Sequence, residues 1–128
     1  MVRSFIAVGA GAAIGAWMRW GLSLWLAPAR SPIPLGTLAA NLIGGYIVGI
    51  ALGWIIHRPG VAPELRLFLV TGLLGGLTTF STFSAEIVQH LNRQQYGTAL
   101  LGVAVHLFGS LLLTALGLYT YRALRLGA

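Results

Sequence analysis

Residues 71–84 read TGLLGGLTTFSTFS, and this stretch decides how the rest of the chain is interpreted. A glycine pair, Gly75 and Gly76, lies in an apolar run, and five hydroxyl residues and two phenylalanines follow within seven positions. Glycine and consecutive threonines are poor helix formers, so the pattern predicts a break in a helix. An unbroken helix with small residues at a contact is the alternative that the pattern leaves open.

The composition places this stretch in a membrane. Hydrophobic residues make up 57% of the 128 residues and charged residues only 8%, whereas a soluble domain carries about 25% charged residues. Without cysteine, the chain can form neither a disulfide nor a thiolate metal site. The net charge of +6 comes from dispersed arginines beside apolar runs. Such a distribution fits anionic lipid headgroups or an attracted anion better than a nucleic acid.

Four apolar segments are long enough to cross a bilayer as helices, since a span needs about 20 residues. They cover about residues 4–26, 36–56, 64–91 and 98–121. Short loops rich in proline, glycine and arginine join them, which predicts an all-α membrane protein with one domain over residues 1–128. Arg3 before the first segment is also typical of a signal peptide, but the three apolar segments that follow favour a true span.

The distribution of arginine across the predicted loops gives only a weak orientation signal. Four spans place both termini on one side, which holds five arginines, while the other side holds three if Arg19 is included. Cytoplasmic loops normally carry an excess of arginine and lysine. This small bias permits insertion in either orientation, and a single orientation with the termini inside also fits.

The polar groups inside the spans are the candidates for function, because such groups are costly in a bilayer. The chain has no aspartate, only two glutamates and no metalloprotease motif, so we do not expect an enzyme. Transport or conduction remains. Each polar group also has a structural interpretation: Arg19 can extend to the interface, Asn41 can bond to a neighbouring helix, and a lone Ser or Thr can bond to its own helix.

Helical spacing groups these residues on faces. His106, Ser110 and Thr114 are spaced at one turn and form a polar seam on the fourth span. On the third span, Phe80 and Phe83 point to one side, and the hydroxyl side chains opposite them are those of Thr78, Ser81 and Thr82. An aromatic ring has a positive edge, so ring edges can line a path for an anion without trapping it.

These motifs resemble the Fluc (CrcB) fluoride channels, and the likeness covers nearly the whole chain. It rests on Arg19 in GAWMRWG, Asn41 in GTLAANLIGGYIVG, the segment TGLLGGLTTFSTFSAE and HLFGSLLLTALG in the fourth span. The resemblance implies an antiparallel, dual-topology homodimer in the bacterial plasma (inner) membrane, with two pores. It further implies passive export of fluoride from the cytoplasm, which protects the cell from fluoride toxicity.

The resemblance also implies roles for individual residues. A sodium ion would lie on the dimer axis as a structural ion, held by the backbone carbonyls of Gly75 and Thr78 from both copies. Arg19 matches the vestibule arginine, and Glu86 occupies the position of an acidic pore residue. The residues implied to line the pore are Arg19, Asn41, Phe80, Ser81, Thr82, Phe83, Glu86, Ser110 and Thr114.

Two other functions compete with this interpretation. A small four-span multidrug or cation exporter has about the same length, but it needs an acidic residue in its first span. The first span of this chain contains Arg19 and no acid, which favours an anion over a cation. A structural membrane subunit without transport would leave the polar cluster of the third and fourth spans unexplained.

Overall fold

The computed structural model describes residues 1–127 and contains four long apolar helices. Three of them are continuous: α1 spans Val2–Leu26, α2 spans Leu35–His57 and α4 spans Tyr96–Leu126. The third, α3, spans Pro63–Asn92 and is interrupted. Each helix is apolar and has 23 residues or more, which suffices to cross a bilayer. The prediction of an all-α membrane protein with four spans, the third one broken, is confirmed.

The third helix changes its conformation four times along its length. It begins as an α-helix at Pro63–Arg66, continues as a π-helix over Leu67–Leu74 and returns to α-helix at Gly75–Leu77. Thr78 and Thr79 are extended, with ψ values of 152° and 116°. The chain then resumes as an α-helix over Phe80–Asn92. We call residues 63–77 the first half of α3 and residues 80–92 its second half.

The break lies after the glycine pair rather than at it. Gly75 is helical, with φ −64° and ψ −37°, and Leu77 is the last residue before the interruption. The two threonines that follow are β-branched, and β-branched residues fit extended backbone better than helix. The glycine pair and the two threonines together predicted the break, and the structure places it at the threonines. Gly76 instead packs against the backbone of Ala12 on α1. The π-helix before it was not predicted.

Close approach of backbones explains the glycines of the first half of α3. A Cβ atom at Gly72 would lie 2.7 Å from the carbonyl oxygen of Val8, and one at Gly11 would lie 2.8 Å from the amide nitrogen of Leu73. Both glycines are buried. In lipid, where helices gain little from the hydrophobic effect, such small residues let them pack tightly. The pairs Gly11/Gly15 and Gly72/Gly76 therefore form the contact between α1 and α3.

A second glycine contact joins α2 to α4. A Cβ at Gly49 would lie 2.8 Å from the amide nitrogen of Leu118, and one at Gly117 would lie 3.0 Å from the carbonyl carbon of Tyr46. The two helix pairs, α1 with the first half of α3 and α2 with α4, are the main contacts of the protein. The second half of α3 rests more lightly on α2 and α4 and has no buried residue.

Candidate ion pathway at the helix break

A cleft of about 350 Å³ opens beside the helix break, between α2, the second half of α3 and α4. Three helices therefore contribute to one wall of polar and aromatic side chains. The cleft brings together seven of the residues singled out from the sequence: Asn41, Thr78, Phe80, Phe83, His106, Ser110 and Thr114. The structure places the other five outside its lining: Arg19, Gly75, Ser81, Thr82 and Glu86.

Asn41 of α2 satisfies the backbone where the helix is broken. Its Oδ1 accepts a hydrogen bond from the Thr79 N–H at 2.8 Å, and its Nδ2 donates to the Thr79 carbonyl at 3.1 Å. Backbone groups at membrane depth need a partner, because the bilayer core offers no water. One carboxamide thus replaces two helical hydrogen bonds and stabilises the extended conformation of Thr79.

Thr79 is the N-cap of the second half of α3, a role that was not predicted from the sequence. Its Oγ1 accepts from the Thr82 N–H at 3.1 Å and lies 3.1 Å from the Thr82 hydroxyl. The Ser81 hydroxyl is 3.3 Å away. Threonine at the start of a helix is a known capping signal that could have identified it. Ser81 and Thr82 thus lie around this cap, outside the cleft.

The two phenylalanines lie on the same side of α3, as their spacing predicts. Their ring centroids are 5.6 Å apart, and the Phe83 centroid is 4.6 Å from that of His106 on α4. Phe80 is 79% exposed, although it belongs to the cleft. Thr78 joins the rings in the cleft instead of facing away from them, because the extended backbone there abandons helical spacing.

The polar seam predicted on α4 faces the same cleft. His106, Ser110 and Thr114 all contribute to its wall. The Thr114 hydroxyl donates to the Gly45 carbonyl of α2 at 3.0 Å rather than to its own helix. Within residues 1–127, the Ser110 hydroxyl makes no hydrogen bond. It is therefore free to donate to a ligand.

The break also frees backbone carbonyls on the other side of Thr79. Arg19 of α1 donates from its Nε to the Gly76 carbonyl at 3.1 Å. The Leu74 carbonyl accepts from both the N–H and the hydroxyl of Thr78. In the described part of the chain, the carbonyls of Gly75 and Thr78 accept no hydrogen bond. Two oxygen ligands per chain are thereby left available.

Glu86 is hydrogen-bonded to a residue that was not predicted from the sequence to have a role. Its Oε1 accepts a hydrogen bond from the hydroxyl of Thr37, which is buried on α2. Thr37 precedes Asn41 by one helical turn, so α2 reaches two points of the second half of α3 from the same face. A polar residue one turn from a candidate site residue is the signal that would have identified Thr37.

Comparison with known proteins identifies relatives over almost the entire chain. The model of the family described as CrcB-like protein, Camphor Resistance (CrcB), matches residues 6–118. A protein of Thiobacillus denitrificans named fluoride-specific ion channel FluC is 59% identical over 97% of this chain and 100% of its own length.

Proteins of the same name from other organisms agree. The one from Cupriavidus pinatubonensis is 58% identical over 94% of this chain and 95% of its own length. The one from Pseudomonas putida is 51% identical with the same coverage. These relatives are ion channels and not enzymes. The chain is a multi-pass membrane protein that belongs to the CrcB family of fluoride-specific ion channels.

Proposed function

We propose that this protein conducts fluoride passively out of the cytoplasm across the bacterial plasma membrane and thereby protects the cell from fluoride toxicity. The observation that carries the proposal is the cleft, where aromatic rings and neutral polar groups of three helices converge. The name of the relatives supplies the identity of the ion. The absence of an acid from α1 argues against a cation exporter.

The groups in the cleft suit a small, strongly hydrated anion. A pore for fluoride must replace the hydrogen bonds of water, and the Ser110 hydroxyl is a free donor for this purpose. The edges of the Phe80 and Phe83 rings add weak positive potential. Because these groups are neutral, they bind an anion weakly enough to release it again. Thr114 and Asn41 belong to the same wall, and Asn41 fixes its geometry through Thr79.

The predicted pore residues outside the cleft lining would act at its ends. Arg19 lies half-buried near the break, where its positive charge attracts anions toward the pathway. Ser81 and Thr82 lie between the two phenylalanines in the second half of α3, and Glu86 follows them toward its C-terminal end. We propose that they line the continuation of the path along this half.

A second copy of the chain would complete the pathway, in an antiparallel homodimer with two pores. Phe80 is 79% exposed, and the second half of α3 buries no residue within the protomer. A candidate pore residue open to lipid would expose the ion to hydrocarbon. Arg19 is hydrogen-bonded to Gly76 near the break and so does not count toward either end. The end with both termini then holds five arginines and the opposite end holds two. The open cleft therefore supports a second copy, and its antiparallel orientation is proposed from the family resemblance rather than from charge.

A sodium ion would lie where two breaks meet at the dimer axis. The free carbonyls of Gly75 and Thr78 from two copies would supply four oxygen ligands, and broken membrane helices coordinate Na⁺ in this way. Gly75 is exposed, and a Cβ there would approach only the Val70 carbonyl, at 3.8 Å. The ion would be structural. Replacing Na⁺ by a large organic cation during purification is expected to weaken the dimer.

Fluoride efflux from liposomes tests the function. Vesicles that contain the purified protein and equal concentrations of fluoride and chloride are diluted into a medium free of both, and each ion is followed with a selective electrode. We expect rapid loss of fluoride without comparable loss of chloride. Efflux that requires a proton gradient, or equal rates for the two halides, would refute the proposal.

The orientation of the C-terminus tests the antiparallel arrangement. A C-terminal tag is probed in intact and in permeabilised cells with a reagent that does not cross the membrane. We expect about half of the tags to react in intact cells, because the two copies of the dimer face opposite ways. Uniform protection or uniform reactivity would exclude dual topology and leave the conduction proposal to the flux assay.

A further inference from the structure

The carboxamide of Asn41 has only one orientation that satisfies the chain. The Thr79 N–H can only donate, and it lies 2.8 Å from Oδ1. The Thr79 carbonyl can only accept, and it lies 3.1 Å from Nδ2. Exchanging the amide oxygen and nitrogen would place donor against donor and acceptor against acceptor. The position of the Asn41 NH₂ group is therefore fixed by backbone chemistry.

The tautomer of His106 follows from this orientation. The second hydrogen of the Asn41 NH₂ group is directed to the Nδ1 of His106, at a nitrogen–nitrogen distance of 3.2 Å. An amide nitrogen does not accept hydrogen bonds, so Nδ1 must be the acceptor and carry no proton. A neutral imidazole of this kind carries its proton on Nε2. An imidazolium would set two N–H groups against each other.

The resulting Nε2–H is a donor without a partner. His106 is only 5% exposed, and its Nε2 is buried with no hydrogen bond within the described residues. Buried polar groups are normally satisfied, so a lone one needs an explanation. The side chain belongs to the wall of the cleft, one helical turn before Ser110. The Phe83 ring lies against it, with the centroids 4.6 Å apart.

We propose that the Nε2–H of His106 is a hydrogen-bond donor to the conducted anion and that Asn41 holds the imidazole in the donating tautomer. This inference rests on the proposed function and deepens it. Both N–H groups of Asn41 are engaged by Thr79 and His106, so Asn41 is a positioning residue here. The donor is neutral and releases the ion again.

Nitrogen NMR of the histidines tests the tautomer independently of transport. The protein is labelled with ¹⁵N-histidine and reconstituted in lipid, and His106→Gln assigns the signal among the three histidines. We expect an unprotonated Nδ1 and a protonated Nε2 at His106. The Nε2 signal should shift when chloride is replaced by fluoride at constant ionic strength, while those of His57 and His90 should not. A protonated Nδ1, or no response to fluoride, would overturn the inference.

A second spectrum tests the role of Asn41 through Asn41→Asp. Aspartate keeps an oxygen for the Thr79 N–H but offers no donor to the imidazole, so His106 should move its proton to Nδ1. If the Asn41→Asp protein keeps the wild-type tautomer, Asn41 does not position His106.

Flux measurements then compare two variants of the same position. His106→Phe preserves a ring of similar size without a donor, and we expect about a tenfold or greater loss of fluoride efflux, as for the loss of a buried hydrogen bond. His106→Gln restores an N–H donor and should recover most of the rate. His90→Phe at the end of α3 is the matched control and should conduct like the wild type, because the His90 side chain hydrogen-bonds to Gln95 and lies outside the cleft lining.

The outcomes separate this inference from the function on which it rests. If the wild-type protein moves no fluoride, the proposed function fails, whatever the NMR spectra show. If the wild type conducts and His106→Phe conducts equally well, the function stands and the role of His106 is refuted. Should His106→Phe fail to elute as a single species, the spectra of the wild-type protein and of Asn41→Asp decide.

Discussion

The two halves of α3 share one span but are built for different tasks. The first half packs backbone to backbone against α1 and buries Gly72, Leu74 and Leu77. The second half buries no residue and leaves Phe80 79% exposed. Two extended threonines separate the halves, and Asn41 satisfies the backbone of the second of them. Packing within the chain is thus close in the first half, against α1, and sparse in the second.

This difference indicates that the second half of α3 is the region open to partners from outside the protomer. The glycines of the first half exclude any side chain from the contact with α1, so nothing else can bind there. The second half carries hydroxyl groups and rings but few contacts within the chain, which suits the proposed ion path and the proposed contact with a second copy. The break allows one helix to serve both needs, and the predictions below test that division.

The largest effect is expected from adding a side chain where α1 packs against the first half of α3. Gly11→Leu places a side chain against the backbone of the π-helix, where even a Cβ would lie 2.8 Å from the Leu73 amide nitrogen. Because backbone cannot yield as a side chain does, we expect the loss of monodisperse protein in size-exclusion chromatography. Gly9→Leu, with nothing within 4 Å of its Cβ, is the control. Normal elution of both variants would contradict the close packing.

Removing the hydrogen bonds from Asn41 to Thr79 at the break should have the next largest effect. Asn41→Ala leaves the N–H and carbonyl of Thr79 without partners at membrane depth. Each unsatisfied buried group costs about 1–3 kcal/mol, so we expect the free energy of unfolding to fall by about 2 kcal/mol or more. Denaturation of the reconstituted protein measures it. An unchanged unfolding free energy would mean that the break needs no support from α2.

Replacing a phenylalanine ring tests the second half of α3 without disturbing the packing of the first half. Phe83→Ile keeps an apolar side chain but removes the ring edge, and we expect fluoride efflux to fall about tenfold, which corresponds to about 1.4 kcal/mol in the barrier. Phe108→Ile, at an α4 residue that is 67% exposed and outside the cleft, should have no effect. Equal flux through both variants, with the protein still folded, would make the Phe83 ring a packing group.

The smallest effect concerns the start of the second half. Thr79→Ala removes the hydroxyl that caps the helix at Thr82, and such a loss costs about 1 kcal/mol. Thr79→Ser keeps the cap and should be close to the wild type. Thermal unfolding of the two variants side by side measures the difference. If alanine and serine behave alike, the cap does not stabilise the second half.

The elements that sequence predicts well are those fixed by local composition. Apolar runs of sufficient length gave four helices, and the spacing of Phe80 and Phe83 gave a common side for their rings. The glycine pair and the two threonines correctly predicted a break, which lies at the threonines. The helical conformation of the glycines was not predictable, because glycine also serves close packing, as Gly76 does against α1. The π-helix at Leu67–Leu74 has no signature in composition.

The hydrogen bonds between helices could not be predicted from the sequence for a different reason. The hydrogen bonds from Thr37 to Glu86, from Asn41 to Thr79 and from Asn41 to His106 join residues 38 to 65 positions apart. Helical spacing orders residues within one element but does not say which faces meet. The seam of His106, Ser110 and Thr114 was predictable, and its position opposite the break was not.

The mass of the purified, flux-active protein tests the central claim most directly, namely that a second copy completes the open half of α3. Native mass spectrometry in a mild detergent reports how many chains of 13.5 kDa form one particle. We expect twice the mass of the chain. A particle of a single chain that still carries fluoride selectively into or out of liposomes would contradict the account.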